Sequence, residues 1–299
     1  MAADSAGVSF AAERSAVDEA LTTFAQRYLF SMQGPVADAV SYSMLGEGKR
    51  LRAILLLSAY RAAGGLRDAS PLAAAVEVVH AYSLVHDDLP CMDDDDMRRG
   101  RPTVHRAFGI PAATSAGLAM VPLAARAATD AARALGLDPA RTGAIVRELM
   151  QASGAGGMIG GQLLDLQGEG APLTLAELER VHRMKTGALI RASVQIGGLA
   201  ALANEETLRA FDRYGAAVGL AFQIADDVLD VTSTTGELGK TAGRDAALRK
   251  STYPALLGLA GARARAQKLS GEACAALREA GIRSTELEAL ARFVVERRS

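Results

Sequence analysis

Tryptophan is absent from this chain, and aromatic residues together make up only 4% of it. Alanine and leucine dominate instead, as expected of a helical protein. Cysteine is almost as scarce. Cys91 and Cys274 are the only two, which excludes a disulfide framework and any zinc-ligand spacing. Neither charge sign prevails: 33 lysines and arginines meet 34 aspartates and glutamates, a net charge of −1 that argues against nucleic acid as the main partner. Long apolar runs are missing too. The longest, Ile54–Ala59 and Ala116–Ala125, are well short of a membrane span. The first residues, "MAADSAGVSFAAERS", carry Asp4 and Glu13 and have no apolar h-region, so no signal peptide is expected. These absences leave a cytoplasmic globular protein, and a hydrophobic fraction of 49% over 299 residues suffices for a sizeable core.

Helical periodicity is readable nearly everywhere, and no strand alternation interrupts it. Breaks are expected at Gln33–Pro35, Ala63–Gly65, Gly100–Pro111, Gly136–Ala140, Gly168–Pro172 and Ser233–Gly243. Thr174 followed by Glu177 reads as a capping box opening a helix. Because no linker or composition shift divides the chain, residues 1–299 are expected to form one all-α domain.

Local charge is far from even. "LVHDDLPCMDDDDMRRGRPT" (Leu84–Thr103) sets six aspartates within ten residues and adds two arginines. Two carboxylates about 4 Å apart repel by roughly 4 kcal/mol near a protein surface, so such a cluster stays solvated or takes up cations. His80, Ser83 and Asp87 share a helical face with Asp88 beside it, Pro90 ends the helix, and Asp93 returns by the turn. A second acidic motif follows in the other half, "FQIADDVLDV". There Gln223, Asp226, Asp227 and Asp230 fall within an arc of about 100° on a helix. No lysine or arginine is interleaved to make that face an ordinary salt-bridged surface. Clustered hard oxygen ligands without His or Cys suit Mg²⁺ shared with substrate phosphates.

An EF-hand is excluded because Met97 and Arg98 stand where that loop needs Asp/Asn and Gly. "TTGELGKT" fails as a P-loop, since Thr234 replaces its first glycine. "GAGGMIGG" fails as a dinucleotide fingerprint at Ile159. Cations lie near both motifs: Lys49, Arg50, Arg52, Arg98, Arg99, Lys185, Lys240 and Lys250. With two acidic motifs they read as a phosphate site. His86 and His182 read as packing or surface residues, and Gln162 with Asp165 as a polar pair that either lines a cavity or is structural.

Taken in order, "GKRLRA", "VHAYSLVHDDLPCMDDDDMRRGRPTVH", "GMIGGQLLDL", "KTGALI", "FQIADDVLDV" and "LGKTAGRDAALRKSTYPALLGL" resemble the trans-prenyltransferase (polyprenyl diphosphate synthase) family, most closely its bacterial farnesyl-forming branch. One departure is Ala53, where that family commonly has proline. The resemblance implies a helical bundle around a deep central cavity, usually as a homodimer, with the two acidic motifs facing each other. It implies head-to-tail condensation of isopentenyl diphosphate with an allylic diphosphate. Asp87, Asp93 and Asp226 would hold Mg²⁺, three ions per site, supported by Asp88, Asp227 and Asp230. Arg98, Lys185, Lys240 and Lys250 would grip the allylic diphosphate, and Lys49, Arg52, His80 and Arg99 the isopentenyl diphosphate. Thr186, Gln223 and the Lys185 carbonyl would face the allylic cation.

The same resemblance makes Tyr82 the floor that stops growth at fifteen carbons, with geranylgeranyl or geranyl diphosphate as alternative products. A helical wheel puts Ser83 directly below Asp87 and Tyr82 about 140° round, so Tyr82 as an ordinary core aromatic stays open. A terpene cyclase would need Ser/Thr and Glu where Asp230 and Thr234 stand. A non-catalytic regulatory subunit would have lost acidic ligands, and none is missing.

Overall fold

The computed structural model describes residues 8–170, 172–232 and 250–297. Thirteen α-helices lie among them: α1 (Ala11–Tyr28), α2 (Pro35–Met44), α3 (Leu51–Ala62), α4 (Ser70–Asp87), α5 (Val104–Phe108), α6 (Ile110–Ala134), α7 (Pro139–Ser153), α8 (Met158–Gln167), α9 (Leu175–His182), α10 (Ala188–Ala200), α11 (Glu205–Thr232), α12 (Tyr253–Glu279) and α13 (Thr285–Glu296). The all-α expectation holds with one small addition. A two-stranded antiparallel ribbon, β1 (Met97–Arg98) and β2 (Arg101–Pro102), turns the chain around Gly100. Alternation is unreadable in strands of two residues, which is why the sequence showed none.

The expected punctuation coincides with helix boundaries. Pro35 and Pro139 sit in the first turns of α2 and α7, where a missing N–H costs nothing. The capping box is formed: Thr174 Oγ1 accepts from the Glu177 N–H, and Glu177 Oε2 accepts from the Thr174 N–H at 2.8 Å. The break at Ser233–Gly243 begins where the described residues pause.

The core follows from which helices are apolar all round. α3 and α10 carry buried side chains on every face, and such helices must lie in the interior. They contribute to both of two hydrophobic clusters. One gathers α1, α2, α4, α6 and α7 around Leu72, Met120 and Leu149; the other gathers α11, α12 and α13 around Phe211, Tyr214 and Leu290. α4 and α11, one from each side, bear the two acidic motifs near their C-terminal ends. No helix among the described residues is long and apolar enough to cross a membrane.

Between α9 and α10 the chain makes a wider turn of π-helix, Arg183–Gly187, which carries Lys185 and Thr186. Such insertions recur at functional positions in helical proteins. Two close approaches hold this one. A Cβ at Gly161 of α8 would overlap the Lys185 backbone, and one at Gly219 of α11 would come within 2.8 Å of Gly187 Cα. Glycine at both places lets α8 and α11 close on the turn.

Candidate active site

The ends of α4 and α11 open onto one cavity. Asp87, Asp93, Asp226, Asp227 and Asp230 line a space of ≈ 230 Å³ together with Asp165, Lys185, Gln223 and Lys250. Leu84, Asp87, Lys185 and Asp226 also border an adjoining space of ≈ 470 Å³, whose other walls carry Lys49, Arg52, His80, Ser83, Arg99, Met158, Gln162 and Thr186. One compartment is thus rich in carboxylates and the other in cations, and residues of both acidic motifs stand on the boundary.

Each acidic residue is in a different electrostatic state. Asp87 is pushed up to about 6, chiefly by burial, with Lys185 opposing and Asp93 adding to the rise. Asp88 turns away from the carboxylate cavity. Its side chain is 4% exposed, and Arg98 forks onto it with Nε at 2.8 and 2.9 Å from the two oxygens. Burial raises its pKa, and the Arg98 hydrogen bond offsets part of that. Asp227 is also committed: His182 Nε2 lies 3.1 Å from Oδ2, the Tyr253 N–H donates to that oxygen at 3.0 Å, and Gln223 Nε2 donates to Oδ1 at 3.3 Å. It ties α9, α11 and α12 together. Asp226 meets a partner the sequence did not suggest. Arg297, just beyond α13, donates from Nη2 to Oδ1 at 2.7 Å and to the Phe222 carbonyl at 3.0 Å, with its guanidinium 3.9 Å above the Phe222 ring.

The lysines share a support. Lys185 Nζ and Lys250 Nζ donate to the same oxygen, Asp165 Oδ2, at 2.7 and 2.9 Å. Lys250 also stands 3.9 Å from Asp93 Oδ1, bridging α12's side of the cavity to the first motif. Burial works against charge on Lys185, but Asp165, Asp87 and Asp93 outweigh it and hold the pKa up. Thr186 Oγ1 donates to Gln223 Oε1 at 2.8 Å, so the π-turn and α11 present a joined pair of dipoles. Gln162, the other half of the polar pair, has both amide atoms buried without a protein partner among the described residues.

In the cationic compartment, burial lowers the pKa values of Lys49, Arg52 and Arg99. His80 is pushed well below its usual value by burial and by Arg52 and Arg99, so its imidazole is neutral at physiological pH. Arg50 and Arg99 have φ of 50° and 52°, a strained left-handed backbone at two corners of this compartment.

Tyr82 is buried, packed edge-on against His86 with ring centroids 4.7 Å apart, and it does not border either compartment, whereas Ser83 does. Lys240 lies outside the described residues. His182, expected to be a packing or surface residue, is buried and orients Asp227; its spacing from the second motif gives no sequence signal. Ala53 has a consequence of its own. Its N–H donates to Glu77 Oε1 at 3.1 Å, a bond a proline there could not make.

The donor set fits a hard divalent cation. Five carboxylates face one cavity, no cysteine joins them, and the imidazole there, His182, is already engaged. Asp94, Asp96 and His105 also bring one ligand atom each within 4.8 Å of the others, on the loop just past Asp93.

The sequence matches the polyprenyl synthetase family over residues 34–281. It is 47% identical over 268 residues to the farnesyl diphosphate synthase of Escherichia coli (strain K12), covering 88% of this chain and 89% of that one. To the farnesyl diphosphate synthase of Geobacillus stearothermophilus it is 43% identical, covering 82% and 83%. The structure superposes on geranylgeranyl pyrophosphate synthetase from Pyrococcus horikoshii with a TM-score of 0.83 at 30% identity, over 96% of each chain. Agreement over so much of the length, in sequence and in the path of the helices, places this chain in the polyprenyl synthetase family.

Proposed function

We propose that this protein is a Mg²⁺-dependent farnesyl diphosphate synthase, acting as one catalytic domain. It condenses isopentenyl diphosphate head to tail with dimethylallyl and then geranyl diphosphate. The observation that carries the reading is the division of one cleft into a carboxylate compartment and a cationic one, with Lys185 on the wall between them. The names of the bacterial relatives support the fifteen-carbon product, and the geranylgeranyl-forming neighbour keeps a longer product as the second reading.

Asp87, Asp93 and Asp226 would hold Mg²⁺, three ions in all, with Asp230 and Asp227 behind them and Asp88 acting through Arg98. Bound there, Mg²⁺ supplies positive charge to a departing pyrophosphate. This chain's own cations add to it. Arg98, Lys185 and Lys250 grip the allylic diphosphate, with Lys240 expected to join them, and they are in place before charge develops. Thr186 and Gln223 aim dipoles at the allylic carbon, and the apolar walls exclude water that would quench a carbocation. Lys49, Arg52, His80 and Arg99 hold isopentenyl diphosphate so that its double bond faces that carbon. The leaving pyrophosphate takes the proton, so no side-chain base is needed. Tyr82, with Ser83 beside it, limits product length. The working form is a cytoplasmic homodimer.

The test is mass spectrometry of products from purified protein given dimethylallyl diphosphate, isopentenyl diphosphate and Mg²⁺. A dominant fifteen-carbon diphosphate, lost on adding chelator, is expected. A twenty-carbon product would replace the farnesyl reading with the geranylgeranyl one, and no condensation would refute both.

A further inference from the structure

Glu77 is the buried acid that the proposed chemistry leaves without a task. It lies in the middle of α4, one helical turn before His80, and is 3% exposed. A carboxylate so enclosed persists only when paired or hydrogen-bonded. Its Oε1 accepts from the Ala53 N–H at 3.1 Å. Ala53 is the third residue of α3, where helical N–H groups have no partner within the helix. The residue that would ordinarily cap α3 is Arg50, whose left-handed backbone and cationic side chain provide no cap. Glu77 therefore caps α3 from another helix. It does so on the residue next to Arg52, and its charge is the largest opposite charge acting on Arg52. Glu77 also borders the cationic compartment alongside Lys49, Arg52, His80 and Arg99.

We propose that Glu77 is a positioning residue for isopentenyl diphosphate, fixing the first turn of α3 against α4 so that Arg52 is aimed into the cationic compartment. This rests on the prenyltransferase reading of that compartment. Lys49, Arg52 and Arg99 repel one another while the compartment is empty of anion, and Arg52 Nε is buried with no protein partner among the described residues. One anion in the wall restrains that repulsion, and its hydrogen bond to the α3 backbone sets where the restraint acts. Ala53 makes the arrangement available, because the donor is its N–H.

Glu77→Gln keeps a carbonyl acceptor for Ala53 and the side chain's shape but removes the charge. The KM for isopentenyl diphosphate should rise about tenfold, the loss typical of one buried charge-assisted contact, with the allylic KM and the Mg²⁺ requirement unchanged. Since the effect runs through Arg52, adding Glu77→Gln to Arg52→Ala should cost much less than adding it to the parent enzyme. Equal effects in both backgrounds, or an unchanged KM for isopentenyl diphosphate, would overturn the proposal. A fall in thermal midpoint with both KM values moved together would overturn it too, by making the role structural. If the unmodified enzyme gives no condensation, the functional reading fails separately. The positioning claim is then read by calorimetry with inorganic pyrophosphate in chelator: weaker binding in Glu77→Gln upholds it, and equal binding refutes it.

Discussion

Asp87→Asn should make this protein more stable while destroying its activity. The carboxyl is pushed from an ordinary 3.8 up to about 6, mainly because α4 ends inside the protein and takes Asp87 out of water. At about 1.4 kcal/mol for each tenfold change in proton affinity, holding it ionised costs the metal-free fold about 3 kcal/mol. The sign follows from which state binds the proton more tightly. Below pH 3.8 the group is protonated both folded and unfolded, and the cost is absent. Above about pH 6 it is ionised in both, and the cost is complete. Replacing it with neutral asparagine of the same shape removes the cost only in that upper range. Urea titrations in chelator at pH 7.5 should give the variant a gain approaching about 3 kcal/mol, dwindling to nothing near pH 4. With Mg²⁺ and a diphosphate the order should reverse, because ligands that bind only the folded state stabilise the parent more. A variant no more stable than the parent at pH 7.5, or equally favoured at pH 4, would refute the reasoning.

Asp165→Asn should free Lys185 and Lys250 to lean on Asp87 and Asp93. Steady-state kinetics should show an allylic KM raised about tenfold and a higher Mg²⁺ requirement, with the isopentenyl KM unchanged. Arg297→Ala removes the cation that occupies Asp226, so calorimetry should show Mg²⁺ binding the substrate-free variant about two- to fivefold more tightly, as expected for releasing one partly exposed ion pair. Tyr82→Ala should lengthen the product by one or more isoprene units in mass spectrometry and cost about 3 kcal/mol of stability as a buried aromatic truncation; an unchanged product would leave Tyr82 a core residue only.

What could be read from sequence here is what repeats locally. The helical phase of α11 put Asp226, Asp227 and Asp230 on one side, and the structure has all three on one cavity wall, because three residues on one helix need no knowledge of the rest of the chain. Pro90 announced the end of α4 for the same reason. What was illegible depends on partners far away in the chain. Nothing local says that Asp88 would be spent on Arg98, that His182 would lie 45 residues before its carboxylate, or that Arg297 would travel 71 residues to Asp226. The π-turn was invisible because "RMKTG" fits an ordinary helix, and only the glycines of α8 and α11 pressing on it give its shape a cause.

That turn also sets which kinds of genetic change the chain can absorb. Substitutions along 183–187 alter one side chain at a time and leave the helical phase on either side untouched. Losing a single codon there would do something else. The wide turn would rewind to an ordinary one, and everything downstream would rotate by about 100° about the helix axis. Ile190, Val194 and Ile196, which now face the core, would swing off it together. An evolving lineage can therefore vary this segment's letters but not its length, and a deletion scan would find its sharpest intolerance here, on a helix whose residues individually look replaceable.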